Sequence, residues 1–567
     1  MIWKYRPIDP VRARSLAVSL GQPLKFGEYL TARGFSTPKE ATDFLSFELS
    51  RLPAPETLPG LTKAVGLFQE ARDKNKVVAI AGDYDVDGLT ATALLTRFLT
   101  AYGFRAISRI PNRLSEGYGL SAKGVEELID RGAELLVTVD CGVSDVEAIE
   151  AANKRGMTVV VTDHHELPPR LPPAAAILNP HLGGGWEKYP LAGVGVAFVL
   201  AWGLKNAFKA KGLASPKESL VECLALVALG SIADLAPLRG PNRILVWHGL
   251  NFLARIDWPG LAALRRKALK SQGFVTTRDV GFRLAPRLNA AGRLGQADLA
   301  LRLLMSTDPD EARDLAETLE GLNRTRLSDQ NALLEEALEV LAEEYAPLGD
   351  FRTVVLAGKG WPRGLLGLAA SRVVEATNRP TVILALEGDM AVGSGRSVRG
   401  FNLFAALEPL RDLCVSMGGH AQAAGLKIKK ELLPRFKEAL ERSAANQAPP
   451  EPEPLLDVDL VAGLADLSAI APPLAEMEPF GNGNPSPVVV LKNVRVLEAV
   501  PTRTGGDQHM MLRLFDGTSK VSLVGFGLAP RLHEIGSRLD VAVILETERF
   551  GRKEPHFRLI DFKQPDV

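Results

Sequence analysis

The chain has 567 residues, of which 46% are hydrophobic and 24% are charged, so it is neither a disordered nor a collagen-like chain. At roughly 150 residues per domain, this length predicts three or four domains. The 67 Lys and Arg residues balance the 67 Asp and Glu residues. That balance excludes a wholly basic nucleic-acid coat, but it allows a basic groove offset by acidic patches.

Cysteine usage and apolar runs indicate the cellular compartment. Three widely spaced cysteines, Cys141, Cys223 and Cys414, form no C-x-x-C pair, which argues against a disulfide framework and a cysteine zinc site. The first residues lack the apolar stretch of a secretory signal. The longest uncharged apolar run, residues 191–204, is shorter than the ~20 residues that a membrane helix needs. We therefore predict a reduced, soluble, cytoplasmic protein.

The first half of the chain has the pattern of a parallel α/β domain. Residues 1–55 are predicted to be an N-terminal helical segment. Short apolar runs then recur with helical segments between the first three of them, at residues 77–81, 135–139, 158–161 and 174–178. Strands that are apolar on both faces and alternate with helices predict a parallel sheet. We place this α/β domain at residues 56–245.

A helical region and a second α/β domain follow. Residues 246–346 are predicted to be helical and to end in a long polar stretch, 308–346, that we interpret as one helix bridging two domains. A second α/β domain is predicted at 347–448, with strands near 353–357 and 381–385.

The C-terminal region has a β pattern. The proline-rich residues 449–454 are predicted to be a semi-rigid spacer. Residues 455–567 then contain six short apolar runs and a hairpin signal at Asp516-Gly517. Five or six short strands in this length predict a small barrel such as an OB-fold.

An acidic motif between a strand and a helix is the strongest local signal. In Gly82–Gly88 three acids alternate with single residues, Asp83, Asp85 and Asp87, as expected for oxygen ligands of a cation. An EF-hand loop opens in the same way, but its twelfth position, where Glu is needed, is Leu94, and the motif follows a strand. A solvated turn with an acidic helix cap is the simpler alternative for this motif alone.

Further acids and histidines occur where other strands end. Asp140 follows the second predicted strand, and Asp163-His164-His165 follows the third. A fourth site, Asp234, lies in an apolar segment, where unpaired acids are rare. Because the carboxyl ends of parallel strands open onto one crevice, we expect these groups to converge.

The ligand types narrow the choice of metal. Carboxylates with imidazole and no thiolate favour Mn²⁺ or Mg²⁺ over structural zinc. Several carboxylates able to bridge favour two ions, which activate a water and stabilise the leaving oxygen in phosphoryl displacement. We found neither a Walker A loop nor a G-x-G-x-x-G motif after a strand.

These motifs resemble those of a known family. The acids of 83–88, Asp140 in Val-Asp-Cys-Gly, Asp163-His164-His165 and Asp234 are similar to the four motifs of the DHH phosphoesterases. Longer signatures resemble the RecJ family of bacterial single-strand-specific 5′→3′ exonucleases, at residues 191–197, 286–294, 418–425 and 478–485. The resemblance spans residues 77 to 485 and implies a DHH domain, a DHH-associated substrate-binding domain and an OB-fold-like nucleic-acid-binding domain.

The resemblance also implies roles for the site residues. Five residues match the ligands of two ions, Mn²⁺ or Mg²⁺: Asp83, Asp85, Asp140, His164 and Asp234. His165 matches a substrate-facing or catalytic group, while Asp163 and Asp87 are expected to orient the ligands.

The matching residues expected to hold the 5′ end and adjacent phosphates are Arg113, Arg287, Asn289, Arg293, Ser394, Arg396 and His420. A guanidinium fork suits phosphate, and we place His420 in a glycine-rich loop that lets a strand backbone approach closely.

The chain departs from the family pattern at one place. Many RecJ sequences have Trp-His-x-Gly where this chain has Trp361-Pro362-Arg363-Gly364. We consider Arg363 as a replacement donor. Barrel residues considered for stacking or backbone contacts are Arg503, His509, Lys520, Phe526 and Arg552.

The metal-ligand pattern predicts a metal-dependent hydrolase of phosphodiester bonds. The resemblance implies a 5′→3′ exonuclease that degrades single-stranded DNA to mononucleotides in DNA repair and recombination. The alternatives are a DHH phosphodiesterase for short oligonucleotides or cyclic dinucleotides, and a catalytically inactive DNA-binding scaffold. By resemblance, the expected partners are single-stranded DNA, a single-strand-binding protein and a RecQ-type helicase. We expect a monomer with no membrane partner.

Overall fold

A computed structural model describes residues 1–214, 216, 220–269, 273–345, 349, 351–448, 454–502, 508–546 and 556–565. In chain order it begins with β1 (Ile2–Tyr5), α1 (Pro10–Leu20), α2 (Leu24–Ala32) and α3 (Pro38–Leu45). Asp9 caps α1 by accepting hydrogen bonds from the Val11 and Arg12 amides, and Thr37 caps α3 in the same way. The predicted N-terminal helices are therefore present, preceded by a strand that was not predicted.

A five-stranded parallel sheet forms the first α/β domain. Its elements are α4 (Leu61–Asp73), β2 (Val77–Gly82), α5 (Val86–Ala101), β3 (Arg105–Arg109), α6 (Ala122–Asp130), β4 (Ala133–Val139), α7 (Val146–Lys154), β5 (Thr158–Thr162) and β6 (Ala176–Leu178). The strand order is β3-β2-β4-β5-β6. Every neighbouring pair is parallel. The predicted sheet is confirmed, although sequence reasoning missed β3, which is only partly buried.

Helices cover both faces of this sheet. Residues of α6 and α7 pack on one face, where Val125, Ile149 and Val159 belong to one buried cluster. The larger core on the other face contains α4, α5 and the helices that follow. These are α8 (Gly193–Ala210), α9 (Leu224–Ala233), α10 (Gly240–Arg255), α11 (Pro259–Ala268), α12 (Thr277–Asp279), a π-helical turn (Val280–Leu284), α13 (Ala285–Arg293), α14 (Ala297–Met305) and α15 (Pro309–Tyr345). Of these helices α15 is much the longest.

The predicted bridging helix is confirmed as α15. It has 37 residues, which corresponds to about 55 Å at 1.5 Å per residue. Its first half packs against α11, α13 and α14, and its second half packs against the next domain. Leu315 and Leu319 lie in the first core, and Leu333 and Ala337 lie in the second.

The second α/β domain has a mixed sheet. Its elements are β7 (Val354–Lys359), α16 (Leu366–Thr377), β8 (Thr381–Glu387), β9 (Met390–Arg396), α17 (Leu403–Leu407), β10 (Cys414–His420), β11 (Ala423–Lys429) and α18 (Leu433–Ala444). The order is β10-β11-β9-β8-β7. Only β7 and β8, the two predicted strands, pair in parallel. The glycine-rich segment at 418–425, predicted as a loop, is instead the β10–β11 hairpin, because its small residues pair in regular register.

The C-terminal region forms a closed barrel. It contains β12 (Leu455–Val458), β13 (Leu460–Ala462), α19 (Leu464–Ala475), β14 (Val488–Pro501), β15 (Met510–Phe515), β16 (Lys520–Gly525), β17 (Arg538–Glu546) and β18 (His556–Lys563). Pairing of β14 with both β15 and β17 closes the barrel. The barrel prediction is confirmed, but the apolar runs near 488 and 494 belong to a single strand. Its register shifts around Asn493, which has a positive φ of 50°.

The N-terminal helices belong to the barrel's core. Leu16, Phe26 and Leu30 lie in the same buried cluster as barrel residues. In addition, β1 pairs in parallel with β12. Asp459, between β12 and β13, is buried and pairs with Arg33 of α2 at 2.7 Å. The two ends of the described chain therefore fold together. No helix in the described part of the chain is both long and apolar enough to cross a bilayer.

Candidate metal centre

Acidic side chains converge where the strand order of the first sheet reverses. The chain moves from β2 to β3 on one side and then returns to place β4 on the other side of β2. Such a switch point leaves a crevice at the carboxyl ends of the strands. Asp83 and Asp140 follow β2 and β4 directly, and Asp163 follows β5. The predicted convergence at this edge is thus present.

One group of possible ligands comprises Asp83, Asp85 and Asp140, with one carboxylate oxygen of each within 4.8 Å of the others. Asp83 and Asp140 are buried. Asp85 caps α5, since its Oδ1 accepts hydrogen bonds from the Asp87 amide at 2.9 Å and the Gly88 amide at 3.1 Å. This contact fixes one oxygen of Asp85.

A second group lies beside the first. His164 Nε2 is 3.1 Å from Asp140 Oδ1, and His164 Nδ1 is 3.7 Å from Asp234 Oδ2. Asp87, His164 and Asp234 also offer ligand atoms within 4.8 Å of one another. Because Asp140 belongs to a group with Asp83 and to a group with His164, it lies between two possible cation positions. The five residues predicted as ligands are therefore all brought together.

Asp87 is held differently from the other acids. Its Oδ2 accepts a hydrogen bond from the Gly193 amide at 2.6 Å, and its Oδ1 accepts one from the Val194 amide at 2.9 Å. These amides open α8, whose N-terminal dipole favours a negative charge. Asp87 thus fastens α8 to the acidic motif.

Close backbone packing at Asp140 requires glycine in α8. A Cβ at Gly193 would lie 2.5 Å from the Asp140 Cβ. Asp140 itself has a positive φ of 60°, a conformation that is strained for a residue other than glycine. The motif at 191–197 therefore brings α8 against the ligand group.

Unpartnered polar atoms indicate that this cluster fits divalent cations. Asp83 Oδ1, Asp140 Oδ1 and His164 Nε2 are buried and accept or donate no hydrogen bond. Burial and the neighbouring Asp85 raise the pKa of Asp83 to about 8, and burial and nearby acids raise the pKa of Asp234 to about 8. Burial also lowers the pKa of His164 to about 3, so its imidazole is neutral and can bind a metal. Buried carboxylates without counter-ions are costly, and a cation removes that cost.

His165 is oriented by Asp163 and Tyr118. Its Nδ1 lies 2.8 Å from Asp163 Oδ1, and Asp163 Oδ2 accepts a hydrogen bond from the Val143 amide. Burial lowers the pKa of His165, but its hydrogen bond to Asp163 outweighs this effect and raises that pKa to about 9. The Tyr118 hydroxyl lies 3.0 Å from His165 Nδ1 and donates to the Asp140 carbonyl oxygen. The His165 side chain is 44% exposed beside the ligand group, so it is accessible to a substrate.

Sequence reasoning missed Tyr118. Its only sequence signal is an aromatic residue between two glycines, Gly117 and Gly119, both with positive φ. That signal is typical of many turns and carries no chemistry by itself.

Arginines without acidic partners gather next to the metal ligands. Burial and then the charges of Arg113, Arg326 and Arg396 lower the pKa of Arg293 to about 10. Burial and Arg113 lower the pKa of Arg396. Within the described ranges, no carboxylate forms an ion pair with these arginines. We call Arg113, Arg293, Arg326 and Arg396 the arginine cluster.

Neighbouring contacts fix the arginine cluster in place. Arg113 stacks over the Tyr84 ring at 4.8 Å, within the acidic motif. Arg293 donates to the Gly364 carbonyl oxygen at 2.9 Å, and Arg396 donates to Ser394 Oγ at 3.0 Å. The predicted residues Arg113, Arg293, Ser394 and Arg396 therefore come together from both α/β domains.

Arg326 was not predicted. It lies on α15, where its guanidinium donates to Asn323 Oδ1 at 2.7 Å and to Gln330 Oε1 at 2.9 Å. A polar stripe on one face of that helix is the only signal that could have identified it.

Other predicted phosphate ligands have protein partners. Arg287 pairs with Glu320 at 2.6 Å. Asn289 Oδ1 accepts a hydrogen bond from the Val86 amide at 3.2 Å, which joins α13 to the start of α5. His420 is exposed at the end of β10, and its Nδ1 accepts from the Gln422 amide at 3.3 Å. Their roles in binding substrate remain predictions.

Arg363, considered as a replacement donor, forms an ion pair within the protein. It pairs with Glu387 on the surface, while Trp361 donates to Glu336 of α15 at 2.7 Å. This turn therefore fastens the second domain to α15.

In the barrel, His509 contacts Phe526 edge to face at 4.9 Å and Lys520 is exposed. Arg503, Arg552 and the proposed spacer residues 449–453 lie outside the described residues.

Comparisons with known proteins agree with this geometry. Three family models match the chain, described as DHH family, N-terminal domain at residues 77–231, DHHA1 domain at residues 350–446 and RecJ OB domain at residues 458–561. The single-stranded-DNA-specific exonuclease RecJ of Dickeya dadantii is 37% identical over 85% of this chain and 84% of its own length. The chain belongs to the RecJ family.

Other RecJ proteins extend this similarity. The Bacillus subtilis RecJ is 35% identical over 99% of this chain and 70% of its own length. The crystal structure of Thermus thermophilus RecJ in complex with Mn²⁺ has a TM-score of 0.84 and 32% identity, and the match covers 100% of this chain and 80% of that one. A Mg²⁺ complex of the same RecJ has a TM-score of 0.78.

Proposed function

We propose that this protein is a metal-dependent exonuclease that hydrolyses single-stranded DNA from its 5′ end and releases mononucleotides. The observation that carries the proposal is the position of the carboxylate and histidine group beside the arginine cluster, which forms no ion pair with a carboxylate among the described residues. Membership in a family whose named relatives are single-stranded-DNA-specific exonucleases supports it.

The acidic group supplies the binding site for two divalent cations, Mn²⁺ or Mg²⁺. Asp83, Asp85 and Asp140 would hold one cation, and Asp140, His164 and Asp234, whose ligand atoms lie 3.1 and 3.7 Å apart around His164, would hold the other. Two such cations supply an activated water and stabilise the charge on the leaving oxygen. Asp87 holds the end of α8 in place through its two amide contacts.

His165 provides the proton for the leaving 3′ oxygen. Its Nδ1 lies 2.8 Å from Asp163 Oδ1, and its side chain is 44% exposed, so the ring is accessible to the substrate. A histidine with a raised pKa is protonated at neutral pH and acts as a general acid. Tyr118 fixes the same ring from a second direction.

The arginine cluster defines the polarity of cleavage. A terminal phosphate carries more charge than an internal phosphodiester, and unpaired guanidinium groups bind it through charge-assisted hydrogen bonds. Ser394, beside Arg396, adds a hydroxyl donor. Binding the 5′ phosphate here places the first phosphodiester at the metal centre.

Family membership supports a biological setting that we propose here. We place the protein in the cytoplasm as a monomer that acts in DNA repair and recombination. Its proposed protein partners are a single-strand-binding protein and a RecQ-type helicase.

The substrate class is tested by comparing cleavage of a long single strand, the matching duplex and a dinucleotide in Mn²⁺, with Asp140→Asn as the inactive control. The account predicts cleavage of the long single strand, weak cleavage of the duplex and none by the variant. Cleavage of the dinucleotide alone would instead identify a phosphodiesterase for short oligonucleotides.

A further inference from the structure

A leucine occupies the turn that follows the last predicted metal ligand. Helix α9 ends at Ala233, and Asp234 is its C-cap residue. The next residue, Leu235, has a φ of 61°. Its amide donates to the Ile232 carbonyl oxygen at 3.3 Å, and the Ala236 amide donates to the Ser231 carbonyl oxygen at 3.0 Å. These two bonds define a Schellman motif, in which the left-handed position usually holds glycine.

Leucine is an unfavourable residue at that position. A left-handed conformation brings Cβ too close to the following carbonyl oxygen, and glycine avoids this contact. Burial of the side chain could offset the strain, but Leu235 is 68% exposed. A single exposed leucine needs no explanation on an ordinary surface. A strained, exposed leucine next to a metal ligand is different, because strain of this kind collects at functional sites.

The backbone around Leu235 is held from the barrel side. The Asn482 side-chain amide donates to the Leu235 carbonyl oxygen at 2.6 Å, and the Asn482 carbonyl oxygen accepts from the Leu238 amide at 2.8 Å. Ala236 and Leu238 on either side of Pro237 are buried. Thus the segment is anchored on both sides while the Leu235 side chain stays in solvent.

We propose that Leu235 is a substrate-contacting residue that packs against the base of a nucleotide flanking the scissile phosphodiester. This inference rests on the proposed function and extends it to one apolar contact beside the metal centre. Nucleobases offer apolar faces in every sequence, so a leucine contact positions the strand without selecting a sequence. Leu235 directly follows Asp234, and Asp234 belongs to the ligand group.

The test replaces Leu235 with residues that suit the left-handed conformation. Leu235→Gly and Leu235→Asn keep the helix end and remove the apolar side chain. We expect neither variant to melt below the wild-type temperature, whereas kcat/KM on a 5′-phosphorylated single strand falls about fivefold through loss of an apolar contact.

Asn75→Gly is the matched control. Asn75 has a φ of 51° at the end of α4. Its amide donates to the Arg72 carbonyl oxygen and the Lys76 amide donates to the Ala71 carbonyl oxygen, which is the same pair of hydrogen bonds. Asn75 precedes β2 and therefore lies at the opposite edge of the sheet from the metal ligands. We expect wild-type kcat/KM for Asn75→Gly, and an equal value for Leu235→Gly would overturn the proposal.

Abasic substrates decide whether the contact is to a base. Strands that lack the base on one or the other side of the first scissile bond are compared with the intact strand, for wild type and Leu235→Gly. If Leu235 contacts that base, removing both the leucine side chain and the base lowers kcat/KM no further than removing either one alone. Additive losses at both positions would overturn the proposal.

Two further measurements distinguish loss of a base contact from weaker metal binding and from failure of the proposed function. The Mn²⁺ concentration that gives half-maximal activity should be unchanged in Leu235→Gly, and an increase would mean that the effect passes through Asp234. Fluorescence anisotropy of the intact and abasic strands measures the same contact without cleavage. A wild-type protein that binds strands but cleaves none would refute the proposed function, while the anisotropy comparison would still test Leu235.

Discussion

Individual residues of the metal centre have roles that follow from their hydrogen bonds. Asp87 accepts hydrogen bonds from backbone amides with both of its oxygens. Asp163 accepts one from a backbone amide and also contacts the His165 ring. In contrast, Asp83 and Asp140 each keep an unpartnered buried oxygen. The first pair therefore fixes the surroundings, and the second pair is available to cations. This difference could not be read from the sequence, in which all four are acids in motifs that follow predicted strands.

Asp140→Asn should remove most of the activity. The Asp140 carboxylate lies between the two ligand groups. Mutation of residues that only orient metal ligands already lowers metal affinity or activity by about 10–100-fold. We expect kcat to fall by more than about 100-fold while the affinity for single strands is retained, as measured by strand digestion and anisotropy. Asp130→Asn, at an exposed position on α6, is the control. Activity of Asp140→Asn near the wild-type level would remove Asp140 from the metal site.

Metal removal should make stability depend on pH. Burial and neighbouring acids raise the pKa of Asp87 to about 7 and the pKa values of Asp83 and Asp234 to about 8. In the unfolded chain these acids titrate near 4, so the folded, metal-free protein binds more protons between about pH 4 and pH 8. Its stability should therefore fall as pH rises through this window.

Thermal melting with EDTA and with Mn²⁺ measures this effect. The gain in melting temperature on adding Mn²⁺ should increase from pH 5.5 to pH 8, because ionised carboxylates bind the cation and protonated ones do not. A gain that is constant or decreases with pH would contradict a carboxylate metal site.

Helices and strands were predictable where their burial was uniform. Strands β2, β4 and β5 are buried on both faces and read as continuous apolar runs, and α15 reads as one amphipathic stretch. In contrast, β9, β10 and β11 contain glycines, which favour a turn over a strand when only the sequence is read. These are Gly393 and Gly395 in β9, Gly418 and Gly419 in β10, and Gly425 in β11. Strand β14 reads as two runs because Asn493 interrupts its pairing.

The arginine cluster depends on elements from two domains. Arg293 lies on α13, Arg326 on α15 and Arg396 on β9, so no local sequence pattern brings them together. Resemblance to the family motifs identified three of the four. Arg326 has only the polar stripe of α15 as its sequence signal, and its place in the cluster depends on the packing of α15 against α13.

Arg396→Gln should reduce recognition of the 5′ phosphate. A hydrogen bond to a charged group contributes about 1.5–3 kcal/mol, which corresponds to about 10–100-fold in kcat/KM. We expect this loss on 5′-phosphorylated strands and a much smaller loss on strands with a 5′ hydroxyl. Arg372→Gln, on the exposed surface of α16, should match the wild type on both. Equal losses on both strand types would show that Arg396 does not contact the terminal phosphate.

Across the whole molecule, Arg243 joins three parts of the chain. This buried residue of α10 donates to the Phe44 carbonyl oxygen at 2.9 Å and to the Met477 carbonyl oxygen at 2.9 Å, and it stacks on the Phe44 ring at 3.8 Å. The signature at 478–485, recognised in the sequence only as a family motif, is part of this contact and places the barrel beside Asp234.

Arg243→Met should destabilise the assembled protein. Several carbonyl oxygens lose their donor, and leaving buried acceptors unsatisfied costs about 1–3 kcal/mol for each. We expect the free energy of unfolding in urea to fall by about 3 kcal/mol, whereas Arg255→Met, at the end of the same helix, should change it little. A Met variant as stable as the wild type would mean that Arg243 does not hold the barrel to the first domain.

The net charge of the chain is zero because acidic and basic regions of the molecule cancel. Acids collect at the carboxyl edge of the first sheet, and arginines without acidic partners collect beside them. Acidic and basic side chains are thus concentrated in neighbouring regions, although the 67 basic and 67 acidic residues of the chain cancel.

The most direct test of the account is digestion of one long single strand in Mn²⁺, labelled at the 5′ end in one reaction and at the 3′ end in another. The account predicts immediate release of a labelled mononucleotide from the 5′ label and progressive shortening of the 3′-labelled strand. Immediate release of a mononucleotide from the 3′ label, with the 5′-labelled strand shortening progressively, would contradict it.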